Sequence, residues 1–220
     1  VTGIANDKKS HVVTYYSKIG KHLPDFSFNT ISSVLFPVYY PEASSAIEIS
    51  MKGNVMKESD PNFWEIEDNT LKAAFDYEVK QRIQYSETKH ISLFPFADMP
   101  LLVRLGTIFN DISELKVYQP HRDTKKWEWQ ESGDENIEFR IIEPAEKSKQ
   151  PVLVFALSAT AITERIRTLY SSQDVSIWTV TCTNPNNDFL KTEAKLNEFA
   201  SFTREVLDKI KASSAYNEIL

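Results

Sequence analysis

Between Gln119 and Trp129 the chain gathers Gln119, His121, Arg122, Asp123, Trp127 and Trp129, directly after an apolar run that reads as a strand. An amide, an imidazole, a guanidinium, a carboxylate and two indoles in one stretch suit an anionic ligand that carries bases. Base faces stack on indole and guanidinium planes, and phosphates pair with Arg and His. The plainer alternative is a surface loop with two half-buried tryptophans.

Other chemistries are poorly supported. There is no GxGxxG turn or GxxxxGK[ST] loop, and five glycines in all, which disfavours the glycine-rich cradles of dinucleotide and ATP sites. The four histidines, His11, His22, His90 and His121, have no second His or Cys at ligand spacing, so no metal or other cofactor is expected. A triad of Ser158, His121 and Asp123 can be written down, but no nucleophile elbow supports it. His121-Arg122-Asp123 imitates the protein-kinase catalytic loop. Glu128 stands where that loop needs a metal-binding Asn, and the other kinase motifs are absent, which excludes a kinase.

Composition sets wider bounds. A chain of 220 residues, 41% hydrophobic and 12% aromatic, buries a sizeable core as one larger domain or two small ones. A net charge of -6 argues against a general footprint on long DNA or RNA, which needs a basic face, and leaves room for a small anion in a local basic pocket. Cys182, the one cysteine, cannot form an intrachain disulfide and reads as a small core hydrophobe in a reducing compartment. No apolar run approaches the eighteen or so residues that span a bilayer, and Val1–Ser10 lacks a signal-peptide apolar region; a cytoplasmic protein with no membrane partner is expected.

The elements that must position these residues are strands and helices in alternation. Strand-length apolar runs occur at Val34–Tyr39, Ile47–Met51, Ile91–Phe96, Leu115–Tyr118, Ile137–Ile142, Val152–Leu157 and Val175–Thr181. Helical spacing predicts helices over Asp68–Tyr85, Pro100–Phe109, Thr163–Tyr170 and Thr192–Ala212. Strand, helix, strand at 91–118 and again at 152–181 reads as two βαβ units, hence an α/β fold with mainly parallel strands. A turn-rich stretch at Gly133 divides the chain into 1–132 and 133–220. The chain opens without a convincing first element and ends at Tyr216–Leu220 as a strand begins, which leads us to expect a piece of a longer protein.

Ligands of open α/β sheets bind beyond the carboxyl ends of the strands. Those ends carry Ala97-Asp98-Met99-Pro100, then Gln119 to Asp123, then Ser158-Ala159-Thr160, then Thr183-Asn184-Pro185-Asn186. Ser158 and Thr160 precede a helix, where hydroxyls and N–H groups either hold a phosphate or ribose or cap that helix.

These segments resemble a known family. The run from His90-Ile91-Ser92-Leu93-Phe94-Pro95-Phe96 through Pro100-Leu101-Leu102 to Leu105-Gly106, then Tyr118-Gln119-Pro120-His121-Arg122-Asp123, Trp127-Glu128-Trp129 and Leu157-Ser158-Ala159-Thr160, is similar to the SAVED domain of CBASS-type bacterial antiphage effectors. Upstream, Leu35 to Pro41 and Phe63-Trp64 resemble its opening region, so the likeness covers roughly Phe36 to Leu220. It implies two fused Rossmann-like halves, related to the CARF sensors of type III CRISPR systems, that bind a cyclic di-, tri- or tetranucleotide second messenger. Binding would drive homo-oligomerisation and activate a fused nuclease or other effector. By that likeness this portion is a non-enzymatic sensor whose final strand and helix lie outside the sequence. Alternatives are a ring nuclease that cleaves its messenger and a purely structural oligomerisation module.

The expected contacts follow from joining the two arguments. Gln119 bonds a base or phosphate, Arg122 pairs with a phosphate or stacks, His121 meets phosphate, and Trp127 or Trp129 stacks a base. Ser158 and Thr160 reach phosphate or ribose from the other half. Pro100 and Leu101 stand at the ligand-facing helix start, where Pro95 and Pro100 shape the turn. Asp123 pairs internally, since carboxylate repels phosphate.

Overall fold

The structure is a computed structural model that describes residues 4–17, 24–50, 56, 58–112, 114–159, 163–170, 174–216 and 218–220. It contains two compact units, Val1–Glu128 and Trp129–Leu220. The fold is α/β and Rossmann-like, with a mainly parallel sheet.

In the first unit the central strand is β1 (Lys9–Tyr16). On one side it pairs in parallel with β2 (Tyr40–Pro41) near its start and β3 (Ile47–Ser50) near its end. On the other it pairs in parallel with β4 (Ile91–Phe96), which pairs with β5 (Leu115–Val117). The chain therefore does open with an element, contrary to the expectation. Ser10, His11 and Thr14 interrupt its apolar residues and hide the strand from a hydrophobicity reading, yet all three are buried. Ser10 Oγ lies 2.8 Å from Ser92 Oγ and 2.8 Å from His90 Nδ1, so neighbouring strands supply the partners that burial demands.

The strand expected at Val34–Tyr39 is absent. A short helix, α1 (Phe28–Ser33), runs into a turn there, and only Tyr40 and Pro41 join the sheet. Pro37 has no N–H to give a ladder. Helix α2 (Phe63–Ala74) starts before the expected Asp68 because Asp60 receives Asn62 N–H on its side chain and Phe63 N–H on its carbonyl, which organises the first turn. It continues through a π-helical segment (Phe75–Lys80) into α3 (Gln81–Tyr85). Leu71 and Val79 are buried against β1, β3 and β4, with α4 (Met99–Ile108) contributing Leu101 and Leu105.

In the second unit β8 (Val175–Cys182) is central, parallel to β7 (Gln150–Ala156) and antiparallel to β6 (Phe139–Ile142). Helix α5 (Thr163–Leu169) connects β7 to β8. On the free side of β7, Leu153 N–H donates to the Leu220 carbonyl (2.8 Å) and Leu220 N–H donates to the Pro151 carbonyl (2.9 Å), the pattern of a parallel bridge. Helix α6 (Glu193–Ser213) packs Val206 and Ile210 against Trp178 and Val180. Thr192 caps α6 by accepting from Lys195 N–H (3.1 Å), and the buried Asp134 carboxylate accepts from Lys191 N–H, Thr192 N–H and the Thr192 hydroxyl.

Two stability predictions follow from these buried polar groups. Asp134→Ala strands three donors and loosens the α6 cap, so urea denaturation should report a loss of about 2–4 kcal/mol; a change below 0.5 kcal/mol would contradict this role. His90 is buried and stacked on Tyr39, and burial, helped by the Lys116 charge, lowers its pKa to about 4. The unfolded imidazole takes a proton near pH 6.5 that the folded one refuses until about pH 4, so stability falls as pH drops through that window, by about 3 kcal/mol at most. His11, also lowered by burial against an opposing pull from Glu42, adds in the same sense. His90→Gln should flatten the pH 4–6.5 slope of the unfolding free energy, and an unchanged slope would refute the assignment.

Candidate ligand site

The carboxyl ends of β1, β4 and β5 lie at one edge of the first sheet, because all three strands run parallel. At that edge Ser17 N–H donates to the Phe96 carbonyl (3.2 Å), which seats Ser17 beside the start of α4. The Ser17 hydroxyl donates to Asp98 Oδ2 (3.0 Å), and Asp98 N–H donates to Ser17 Oγ (3.3 Å). Asp98 occupies the N-cap position of α4 with extended backbone, yet makes no capping hydrogen bond. Pro100 removes one of the two N–H groups that an N-cap side chain ordinarily receives, and Leu101 N–H has no side-chain acceptor among the described residues. The α4 N-terminus is thus open, with its positive dipole end at the sheet edge. Sequence separation hid this latch: Ser17 and Asp98 are 81 positions apart, and only the β1–β4 register joins them.

The residues predicted from sequence fall into two groups. Leu101 is 3% exposed and its side chain packs in the core, so its backbone N–H is the part available at the site. Pro100 is exposed in the first turn. His121 is buried, with its N–H donating to the Lys126 carbonyl (2.8 Å) and its carbonyl accepting from Lys125 N–H (2.9 Å). These bonds close a tight turn, with Lys125 left-handed at φ 55°. Asp123 accepts Thr124 N–H at 2.8 Å within that turn. The same turn holds Arg122 out: it is exposed and, among the described residues, has no hydrogen-bond or ion-pair partner. Gln119 is half-buried just past β5.

Trp127 is 2% exposed. Phe26 and Phe94 meet its ring edge-on, at 5.1 and 5.4 Å between centroids, and its indole N–H donates to the Asp25 carbonyl (3.0 Å). In this conformation it offers no open face to a base and instead anchors the turn that carries Arg122. The Asp25 carboxylate is held below the usual range by the Thr30 hydroxyl and by Ser27. Trp129 is half-buried. Beneath the edge lies Tyr15, whose phenol is pushed well above its ordinary range by burial and by the charges of Glu67 and Asp98.

In the second unit Ser158 is exposed just past β7, and Thr160 lies outside the described residues. Asn186 N–H donates to the Leu157 carbonyl (3.1 Å), and Thr183 N–H donates to the Glu138 carbonyl (3.0 Å), which folds the Thr183 to Asn186 loop over the strand ends. Among the described residues no three His, Cys, Asp or Glu are grouped to hold a metal ion, and no helix is long and apolar enough to cross a membrane.

The two roles separate by mutation. Trp127→Ala should cost about 3–5 kcal/mol in chemical denaturation, as for a fully buried aromatic. Arg122→Ala should change stability by less than about 0.5 kcal/mol. A small effect of the first or a large effect of the second would reverse this division.

A model of the "SMODS-associated and fused to various effectors sensor domain" family, SAVED, matches residues 72–220. Comparison with curated proteins returns no match.

Proposed function

Because the chain belongs to the SAVED family of sensor domains, we propose that it binds a cyclic oligonucleotide second messenger, and that binding promotes self-association and activates an attached effector in antiphage defence. The reading is carried by one observation: an exposed Arg122 guanidinium with no partner among the described residues, on a turn closed by two backbone hydrogen bonds at the same sheet edge as the open N-terminus of α4. Both attract a phosphodiester, one by charge and bidentate geometry, the other by free N–H groups and the helix dipole. Gln119 provides an amide that bonds a base edge or a phosphate. Ser158 and Thr160 serve the corresponding role in the second unit. The net charge of -6 favours a ligand drawn to a local cation over a long nucleic acid.

Binding of this kind is stoichiometric and leaves the ring intact. Thermal unfolding with a panel of cyclic di-, tri- and tetranucleotides should show stabilisation by one ring class, about 2.7 kcal/mol at a hundred times the dissociation constant. Arg122→Ala should abolish that shift while leaving the ligand-free transition in place. Failure of every ring to stabilise a cooperatively folded sample would overturn the proposal.

A further inference from the structure

We propose that the amino end of the first sheet carries a second binding site, which takes a neutral heteroaromatic base bearing an amino group, as in a free nucleoside; the inference goes beyond the reading above and does not depend on it. At the start of β1 lies a cavity of about 550 Å³, within the range of about 300–1,000 Å³ usual for small-molecule sites. Its lining includes Lys9 and His11 from β1, Glu42 just after β2, Arg82 and Tyr85 from α3, and Glu87. His11 is 7% exposed, and its Nε2 has no hydrogen-bond partner among the described residues. The ring's backbone hydrogen bond to Thr88 favours the protonated imidazole, as an accepting carbonyl does, so it belongs to Nδ1–H. Burial lowers the pKa and keeps the imidazole neutral at neutral pH. A neutral ring has one N–H, so Nε2 is a bare lone pair, buried at the wall of the cavity and in need of a donor.

The rest of the lining identifies the donor. Glu42 Oε2 is engaged by Lys9 Nζ at 3.3 Å and by the Thr88 hydroxyl at 3.1 Å, while its Oε1 has no partner among the described residues. Glu42 N–H donates to the Ser10 carbonyl (2.9 Å), which seats the residue beside β1, close enough that its charge pulls the His11 pKa upward. Two acceptors of this cavity therefore lack donors. A cationic donor is disfavoured: the charges of Lys9 and Arg82 balance those of Glu42 and Glu87, and Arg82 and Lys89 oppose a further positive charge at His11. A phosphate is disfavoured by the two carboxylates and brings no donor at neutral pH. The amino group of a nucleobase is neutral and carries two N–H donors. Tyr85 points to what bears that group. It is 83% exposed at the end of α3, no ring packs on it among the described residues, and its face is open to a flat heterocycle.

The test titrates the whole chain calorimetrically with adenosine, cytidine and guanosine, and with the counterparts that lack the amino group: purine riboside, 2-pyrimidinone riboside and inosine. At least one amino-bearing nucleoside should bind, and its counterpart should bind about tenfold or more weakly, because the buried acceptors are then left without donors. His11→Leu, which removes the lone pair, and Tyr85→Ala, which removes the stacking face, should each weaken the amino-bearing nucleoside by about tenfold or more. Tyr85 lies on an exposed helix end, so its variant should keep the thermal transition of the unmodified chain; should His11→Leu fail to fold, Tyr85→Ala alone decides. Nucleoside affinity unchanged in Tyr85→Ala would place binding elsewhere on the molecule and overturn the proposal. Equal affinity for a nucleoside and its counterpart would also overturn it, since the amino group would then meet neither acceptor. So would the absence of binding by every nucleoside at millimolar concentration. Each of these failures leaves the cyclic-oligonucleotide reading untouched, because that reading rests on residues at the carboxyl ends of the strands.

Discussion

The first unit depends on the pairing of β1 with β4. Strands β2, β3 and β4 bond to β1 directly, and β5 reaches it through β4. A strand flanked on both sides and buried from Ser10 to Ser17 has no water for its polar side chains. Ser10 and His90 therefore bond across the seam, with Ser92 on the adjoining strand, and Tyr39 covers the imidazole face. The same six-residue register that brings His11 opposite Ile91 at one end brings Tyr16 opposite Phe96 at the other. Slipping it by one residue would turn the buried side chains to the opposite face and part Ser17 from Asp98. Burial at the amino end and geometry at the carboxyl end are thus consequences of one alignment.

That coupling explains why the site divides into framework and display. Trp127, His121 and Leu101 hold the backbone in place from inside, while Arg122 and Gln119 are left with side chains wholly or partly exposed. A cation on a flexible loop loses conformational freedom when it meets an anion. Arg122 sits in a turn closed by two backbone bonds and pinned by a buried indole, so less is lost. Types of residue that look interchangeable along the chain, such as the two indoles near Arg122, have separate uses once burial is known.

How much of this could be read beforehand varies with the kind of signal. Runs of continuous apolar residues identify β4, β7 and β8 with little ambiguity, and helical spacing behind Thr192 identifies α6. Strand β1 escapes because polar residues break its apolar pattern, and the partners that Ser10 meets lie some eighty positions away, which no local window contains. The apolar run at Val34–Tyr39 misleads for the opposite reason: composition suggests a strand where Pro37 cannot donate to one. The cluster around Arg122 is visible as chemistry, but Trp127 reads as a ligand platform until Phe26 and Phe94 are seen against it. The Ser17–Asp98 pair has no signature at all in the linear chain.

Cys182 adds one more property. Its thiol is buried at the end of β8, 3.7 Å from the Leu157 carbonyl, and it is the sole cysteine of the chain. Thiol chemistry in this chain is accordingly gated by exposure of one position, the strand end where Ser158 also emerges. The native fold keeps the thiol from oxidants and alkylating reagents, and each opening of the second unit uncovers it. The rate at which it reacts is therefore a clock for opening of the strand end that buries it.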